Sequence, residues 1–322
     1  MNSAYVALQS FPIAGDGFTI SRETKTDAHV IYVELHRNGA SGCGECVPLK
    51  RYGHTPQSIK QEIEGWLSQH DTWSRDKLID TMKAGPARFA LDTAMWQLES
   101  AEQGLSFAEY LGGVYHPLPT AFTLSGAPPE KMAALAKTKT NFRWLKIKLM
   151  GDGLDEQRLI AIHHAAPACE LIVDANEGLT PGTLHDLLPV FQQNNVVLIE
   201  QPLPEGKDDA LRNLSFPIPF AADESCHDAQ DLEKLAGKYR VVNIKLDKAG
   251  GLTHALDMKR KAQEMGFQIM VGCMASTSLS ILPAYFLAQD AAFIDLDGAL
   301  LLTKDRDNSA ISYQNDHLSL IG

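Results

Sequence analysis

The sequence predicts an α/β protein whose larger part is a closed barrel of parallel strands, of the (β/α)8 type. Eight short apolar or β-branched runs recur from about residue 118 onward, and their first residues lie 22 to 27 residues apart. This spacing fits one strand, two loops and a crossover helix of about ten to fourteen residues. The intervening segments carry apolar residues at helical spacing, as in 155–162 and 229–235. The predicted strands are 120–124, 144–148, 171–174, 196–200, 219–223, 241–245, 268–271 and 293–297.

The first 112 residues do not follow this rhythm. Residues 30–35 have the pattern of a strand, and Arg37-Asn38-Gly39 after them is a turn signal. A helix is predicted from about residue 87 to residue 103. We therefore expect an α+β capping domain over residues 1–112, followed by a barrel over residues 113–300.

Composition excludes several classes of partner. Lys and Arg total 29 against 40 Asp and Glu, which gives a net charge of −11 and argues against nucleic-acid or membrane partners. Five scattered cysteines are too few for a disulfide scaffold. The first twenty residues show no basic start followed by an apolar stretch, so a cytoplasmic protein is expected. Residues 265–289 are uncharged but interrupted by polar residues and a proline, which favours a strand, a turn and a helix start over a membrane span.

Charged residues end five consecutive predicted strands. Because the carboxyl ends of parallel barrel strands open on one face, these side chains should converge there. The last charged residues are 26, 26, 23 and 22 positions apart, which matches the strand period. The residues are Lys146 and Lys148 on one strand, then Asp174, Glu200, Asp223 and Lys245.

Three converging carboxylates repel one another, and their pKa values rise unless a cation lies between them. Oxygen ligands with open positions suit Mg²⁺. Lysines beside such a dication, in a dry pocket, have lowered pKa values and become candidate bases. The alternative is a set of structural ion pairs at the strand ends.

The strand-end motifs resemble the enolase superfamily, and within it the muconate lactonizing enzyme subgroup. The resemblance covers nearly the whole chain, and it implies a modified (β/α)7β TIM-type barrel with an N-terminal α+β capping domain, which the tail 301–322 joins. The motifs are Gly44-Glu-Cys-Val-Pro48, Lys146-Ile-Lys148, Val173-Asp-Ala-Asn176, Ile199-Glu-Gln-Pro202, Ala222-Asp-Glu-Ser225, Asn243-Ile-Lys245 and Lys248-Ala-Gly-Gly251.

The resemblance also implies roles for these residues. Asp174, Glu200 and Asp223 would bind one Mg²⁺ per subunit. Lys148 and Lys245 would form an acid–base pair across the substrate, with Lys146 as an electrophilic helper. Removing a proton beside a carboxylate builds an enediolate, whose charge the cations stabilise. Two opposed lysines permit racemisation or epimerisation, but one would suffice for elimination, so the pair leaves the reaction open.

The eighth predicted strand ends in Asp295 and Asp297, which share a face because side chains at i and i+2 do so. The pair resembles that of the dipeptide epimerases, where it would hold the substrate's ammonium group. A solvated strand end is the alternative. Cys273 and Met274, at the end of the seventh strand, are expected to line the pocket wall.

Arg22 lies in a loop of the cap, in a context that resembles the L-Ala-D/L-Glu epimerases. That resemblance implies that its bidentate guanidinium meets the glutamate carboxylate and that the enzyme handles cell-wall (murein) peptides. Residues 51–55 resemble a second cap loop.

The function expected is therefore Mg²⁺-dependent epimerisation of a small dipeptide at the α-carbon of its C-terminal residue. A dipeptide epimerase of another side-chain specificity, and a lyase of the muconate cycloisomerase or o-succinylbenzoate synthase type, are the alternatives. A barrel that only binds a metal or a partner is a third. The sequence leaves open whether the chain forms a homo-oligomer.

Overall fold

A computed structural model describes residues 2–321 of the chain. The N-terminal part contains a three-stranded antiparallel sheet in the order β1-β4-β5. A separate hairpin, β2–β3, carries Arg22 at its turn. The strands are β1 (Ser3–Pro12), β2 (Phe18–Ile20), β3 (Glu23–Lys25), β4 (Asp27–Arg37) and β5 (Ala40–Cys46). The helices that follow are a 3-10 turn (Lys50–Tyr52), α1 (Pro56–Gln69), α2 (Arg75–Thr81), α3 (Pro86–Glu102) and α4 (Phe107–Leu111).

Helix α3 packs directly on strand β5 because two glycines leave the strand without side chains there. A Cβ atom at Gly42 would collide with the backbone at Ala94, and one at Gly44 with the carbonyl of Ala90. The predicted strand 30–35 lies inside β4, and the predicted turn is present with positive φ at Asn38. In this part the five strands come first and the helices follow, which is the arrangement of an α+β unit.

Eight parallel strands in sequential order, β7 to β14, form the predicted barrel. It is nearly closed, because the amide of Ala121 donates to the carbonyl of Ile294 at 2.8 Å between the first and last strands. After the short β6 (Leu118–Pro119), the strands are β7 (Phe122–Leu124), β8 (Trp144–Lys148), β9 (Glu170–Asp174), β10 (Val196–Glu200), β11 (Phe220–Ala222), β12 (Val241–Lys245), β13 (Gln268–Gly272) and β14 (Phe293–Asp295). The helices are α5 (Pro129–Lys137), α6 (Asp155–Ala165), α7 (Pro181–Gln193), α8 (Leu232–Leu235), α9 (Leu246–Ala249), α10 (Leu252–Glu264) and α11 (Ser278–Leu287).

Two crossovers differ from the prediction of full helices. The segment after β10 contains only a 3-10 helix, Asp209–Asn213, and the one after β11 contains the four-residue α8. The first of these segments holds four prolines, at positions 202, 204, 217 and 219, and proline cannot continue a helix. Between Glu200 and Phe220 the chain therefore returns in an irregular path.

The C-terminal tail contacts both parts of the molecule. The amide of Thr303 donates to the carbonyl of Pro12, and Arg306 binds the buried Glu45 of the cap sheet. The hairpin of β15 (Ile311–Gln314) and β16 (His317–Leu320) then pairs with β6 beside the first barrel strand. The tail thus ties the cap sheet to the barrel.

The uncharged stretch 265–289 forms strand β13, a polar turn and helix α11, as predicted. Across residues 2–321, no helix has both the length and the apolar character that crossing a bilayer requires.

Candidate active site

The charged strand ends lie in one layer at the carboxyl end of the barrel. Parallel pairing aligns Lys148 with Asp174, and Asp174 with Glu200. On the opposite wall, Lys245 aligns with Gly272, and Gly272 with Asp295. The barrel therefore brings together residues as many as 149 positions apart, such as Lys146 and Asp295.

A lysine ammonium lies on each of the three central carboxylates. Lys148 donates to Asp174 Oδ2 at 2.5 Å, and Lys245 donates to Asp223 Oδ2 at 2.8 Å. Lys146 Nζ lies 2.6 Å from Glu200 Oε2 and donates to Asp295 Oδ2 at 2.6 Å. All of these side chains are buried, so each charge is compensated by a neighbour rather than by water.

Although burial opposes them, the lysines lower the pKa of two of the carboxyl groups, Asp174 and Asp223. Burial by itself raises the pKa of Asp174, but Lys148 and Lys146 bring it to about 2. In Glu200, burial and the nearby Asp174 carboxylate outweigh Lys146, so its pKa is raised. Of these three carboxyl groups, Glu200 is the one in which burial and repulsion together outweigh the lysines.

For two of the lysines, Lys245 and Lys146, burial and the neighbouring carboxylates act on the pKa in opposite directions. Burial lowers the pKa of Lys245, but the carboxylates of Asp223 and Glu200 outweigh burial and raise it above its ordinary value. The pKa of Lys146 is raised in the same way, with Asp295 as the largest favourable contribution. Opposite charge at 2.6–2.8 Å therefore dominates desolvation in this layer.

Lys148 and Lys245 face each other across a cavity of about 550 Å³. They end barrel strands β8 and β12, which are four strands apart in a ring of eight and therefore on opposite walls. Gly272 makes room for the second lysine, because a Cβ there would lie 2.7 Å from Asn243 Oδ1 and 3.0 Å from Lys245 Cε. Two amine groups can thus reach a substrate atom from opposite sides.

The carboxylate donors at these strand ends, of which Asp223 lines the cavity, fit a small, hard cation. Asp174, Glu200 and Asp223 supply only carboxylate oxygens, and they come from three adjacent strands. Within residues 2–321, no three His, Cys, Asp or Glu side chains already surround a common point as a bound metal requires. The ammonium groups lie on these carboxylates instead.

The two aspartates of the eighth strand have different surroundings. Asp295 Oδ2 binds Lys146, whereas its buried Oδ1 has no hydrogen-bond partner among the described residues. Asp297 follows the end of β14, and its Oδ2 accepts from the amide of Thr123 at 2.6 Å. Burial and the Asp295 carboxylate raise the pKa of Asp297 to about 7. Both residues line the cavity, so this end offers acceptors for a cationic or hydrogen-bond-donating group.

The other end of the cavity is closed by loops of the cap. Arg22 lines the cavity, and its guanidinium donates to Glu177 at 3.2 Å and to Glu224 at 3.1 Å. Arg51, from the second loop, also donates to Glu177, at 2.7 Å. The hairpin that carries Arg22 is fixed to the barrel, because the amide of Thr19 donates to Ser125 Oγ at 2.8 Å.

Cys273 and Met274 line the cavity wall. Burial raises the pKa of the Cys273 thiol, so it stays protonated and acts as an apolar surface.

Three further residues of the site have a sequence signal only as members of the strand-end motifs. Lys248 donates to Asp223 Oδ1 at 2.6 Å, and Gln201 accepts from the amide of Asp223 at 2.9 Å. Asn243 donates to Glu200 Oε1 at 2.7 Å. The signal for each was its place beside a charged strand end, as in Glu200-Gln-Pro202. Glu177, which joins both cap loops, had no signal in the sequence.

A barrel with acidic and basic residues at its strand ends, covered by an α+β cap, defines a class of enzymes that work at the barrel mouth. Residues 131–318 match the family model of enolase C-terminal domain-like proteins. This match spans more than half of the chain, and the chain belongs to the enolase superfamily.

Similar proteins point to a narrower group within that superfamily. The chain is 40% identical to the L-Ala-D/L-Glu epimerase of Escherichia coli K12 over 292 residues, which cover 89% of this chain and 91% of that protein. It is 43% identical to an N-acetyl-D-glutamate racemase of a Pseudoalteromonas species over 272 residues, which cover 82% and 85%.

Solved structures give the same result. An enolase family member from Agrobacterium tumefaciens with homology to dipeptide epimerases, solved with sodium and L-Ala-L-Glu, is 42% identical. It superposes with a TM-score of 0.95 over 100% of this chain and 98% of that chain. A dipeptide epimerase from Enterococcus faecalis, complexed with Mg and L-Leu-L-Tyr, is 29% identical, with a TM-score of 0.91 over 98% and 96%.

Proposed function

We propose that this protein is a Mg²⁺-dependent dipeptide epimerase that inverts the α-carbon of the C-terminal residue of L-Ala-D/L-Glu. The observation that carries the proposal is the pair of lysines on opposite walls of one cavity, Lys148 and Lys245. One lysine removes the α-proton from its side, and the other returns a proton from the opposite side. A substrate held between them leaves with inverted configuration.

The α-proton beside a carboxylate is weakly acidic because its removal builds a second negative charge. Lys146 supplies a buried ammonium on the same strand as Lys148. Such a fixed positive charge stabilises the developing enediolate in a site with little water. We therefore assign Lys146 to charge stabilisation rather than to proton transfer.

We assign Asp174, Glu200 and Asp223 to the metal. A bound Mg²⁺ would add positive charge for the substrate carboxylate and would offset the three carboxylates. The support is the chemistry of the donors, which are all carboxylate oxygens on adjacent strand ends, together with the magnesium-bound structural relative.

We assign Asp295 and Asp297 to the ammonium group of the dipeptide. This assignment favours a dipeptide over an N-acetylated amino acid as the substrate, because an N-acetyl group carries no positive charge. The free Oδ1 of Asp295 is buried, and an ammonium donor would satisfy it. An N-acylated glutamate would leave this oxygen facing an acyl group.

We assign Arg22 to the side-chain carboxylate of the glutamate residue. Its guanidinium already binds two carboxylates at the cavity wall, so its geometry suits this group. A substrate carboxylate has to share Arg22 with Glu177 and Glu224. L-Ala-D-Glu contains a D residue of the kind found in murein, so we place the enzyme in cell-wall peptide metabolism.

The test is deuterium exchange in D₂O with Mg²⁺ and a set of dipeptides L-Ala-D/L-X, read by mass spectrometry and chiral separation. Deuterium at the α-carbon of the second residue, fastest for Glu, is the expected result. N-acetyl-D-glutamate and N-acetyl-L-glutamate serve as the competing substrates. Faster exchange on them than on any dipeptide would replace the dipeptide assignment by an N-acylamino acid racemase.

Single alanine variants test the two-base arrangement. Lys148→Ala and Lys245→Ala should each abolish epimerisation, by a factor of at least about 1000, because proton transfer by a placed base contributes about 100- to 10,000-fold. Each variant should keep α-proton exchange on one epimer, the one that faces the remaining lysine. Full epimerisation by either variant would contradict the mechanism.

A further inference from the structure

One face of cap helix α3 binds the turn that follows barrel strand β12. The residues of that face are Arg88, Asp92 and Trp96, spaced four positions apart and therefore stacked on one side of the helix. Arg88 and Asp92 are 3% and 1% exposed, although both carry charge. The turn is residues 245–253, which begin at Lys245.

Arg88 binds the backbone of this turn rather than a carboxylate. Its Nη2 donates to the carbonyl of Ala249 at 2.8 Å, and its Nε donates to the carbonyl of Gly250 at 2.9 Å. These carbonyls lie at the carboxyl end of the four-residue helix α9, where a positive charge is favourable. One rigid guanidinium thus fixes two successive peptide groups.

Asp92 fixes the next part of the same turn. It accepts from the amide of Thr253 at 3.1 Å and from its hydroxyl at 2.6 Å. Helix α10 begins at Leu252 after Gly251, which has no side chain with which to cap it, so Asp92 supplies the cap from another domain. Trp96 also donates to the Thr253 hydroxyl, at 2.9 Å.

The two glycines of Lys248-Ala-Gly-Gly251 are explained by this contact. Gly250 and Gly251 have φ values of +77° and +116°. A Cβ at Gly250 would lie 2.5 Å from Arg88 Nε, and one at Gly251 would lie 2.5 Å from Asp92 Oδ2. The motif lets the cap helix approach the backbone of the turn that begins at Lys245.

We propose that Arg88 and Asp92 are positioning residues, which hold the turn 245–253 so that Lys245 points at the substrate α-carbon. This inference rests on the proposed function, in which Lys245 is one of two bases. Helix α3 holds the Lys245 side of the cavity by these bonds, whereas Lys148 lies on the opposite wall, on strand β8. Loosening the turn should therefore weaken one base and spare the other.

The test measures α-proton exchange with retention, for each epimer of the dipeptide separately, in D₂O at saturating Mg²⁺. The alanine variants of the two lysines establish which epimer each lysine serves. In Arg88→Lys, exchange on the epimer served by Lys245 should fall by about tenfold or more, because a displacement of about 1 Å can cost about 100-fold in rate. Exchange on the epimer served by Lys148 should stay within about twofold.

A second readout does not depend on activity. Amide hydrogen exchange over residues 246–253 should be faster in Arg88→Lys than in the wild type. The matched control is Arg37→Lys, which replaces another arginine of the cap, one bound to Glu102 on the same helix α3 without contact to the turn. It should change neither readout.

The outcomes are distinct. An equal loss on both epimers, or unchanged exchange in the turn, would overturn the positioning role and leave Arg88 as a packing residue. Asp92→Asn, a milder change on the same face, gives the decision if Arg88→Lys does not fold. Absence of exchange on both epimers in the wild type would overturn the proposed function, and the positioning role with it.

Discussion

Lys146 is a buried cation enclosed by three carboxylates. It is 1% exposed and has carboxylate oxygens of Asp174, Glu200 and Asp295 within 3.2 Å. A buried cation is tolerated only when such partners compensate for the lost hydration. The Lys146 side chain contacts both the proposed metal ligands and Asp295 of the proposed substrate-binding pair. A substitution of Lys146 would therefore disturb both parts of the site at once.

Asp297 offers a cleaner test of substrate binding than Asp295, because Asp295 also holds Lys146. Asp297→Asn should raise KM for L-Ala-D-Glu by about tenfold or more, with a smaller change in kcat. The reason is that a hydrogen bond to a charged group is worth about 1.5–3 kcal/mol. Steady-state kinetics on the dipeptide and on N-acetyl-D-glutamate measures the effect.

The control for this prediction is the acetylated substrate, which has no ammonium to lose. Its KM should not rise in Asp297→Asn. If the KM values for the two substrates changed by the same factor, Asp297 would have no part in binding the ammonium.

At the scale of elements, the approach of α3 to β5 decides how the cap holds together. Gly42 and Gly44 face the backbone of α3 at Ala90 and Ala94, so the strand and helix are in direct backbone contact. The next residue of the strand, Glu45, is fully buried and binds Thr277 and Arg306. The glycines thereby set the depth at which the cap sheet meets the barrel and the tail.

Gly44→Ala should lower the free energy of unfolding by about 2–3 kcal/mol, because overpacking a close contact costs about 1–3 kcal/mol. Denaturant unfolding at neutral pH measures the change. Gly65→Ala is the matched control. Gly65 lies in helix α1 with open space around it, so alanine should stabilise the protein by about 0.5–1 kcal/mol. Equal effects of the two substitutions would refute the close contact.

The strands and helices also show how much of the fold could be predicted from the sequence. The eight barrel strands were predictable, because parallel strands buried on both faces are continuous apolar runs. Between Glu200 and Phe220 there is no α-helix, and the four prolines of this segment indicate that. The spacing of the strands alone does not take these prolines into account. The sequence pattern did not predict that β14 ends at Asp295. The strand ends there because the amide of Leu296 donates to the Thr120 hydroxyl at 2.8 Å instead of to a strand carbonyl.

At the scale of the whole molecule, buried carboxylates join the cap to the barrel. Asp247, in the turn after β12, accepts from the amide of Val47 at 2.7 Å, 200 positions away. Burial, with a smaller contribution from the Glu45 carboxylate, raises the pKa of Asp247 to about 7. The hydrogen bond from the Val47 amide and the charge of Lys245 act in the opposite direction. A carboxyl group that titrates near neutral pH therefore helps to hold the cap against the barrel. The boundary between the two parts at residue 112 is a proposal.

The pH dependence of this junction follows from the sign of the shift. The folded protein binds the Asp247 proton more tightly than the unfolded chain, so its stabilising contribution is complete below about pH 4 and is lost as pH rises through about 7. Relative to Asp247→Asn, the wild type should lose about 4 kcal/mol of stability between pH 4 and pH 8. Denaturant unfolding at several pH values measures this difference.

The control is Asp186→Asn, because the side chain of Asp186 is 83% exposed. Its stability difference from the wild type should not vary over the same range. A constant difference for Asp247→Asn as well would mean that the buried carboxyl titrates at its ordinary value.

The sequence by itself determined the barrel, the face on which the chemistry lies and the residue types at its strand ends. These follow from local periodicity, because each strand and crossover repeats the same pattern and parallel strands present their ends together. The contacts of Glu177 with Arg22 and Arg51, and those of Arg88 and Asp92 with the turn after Lys245, appear only in the folded structure. Those contacts join residues more than 100 positions apart, and their geometry depends on how the cap packs on the barrel, which no local pattern encodes.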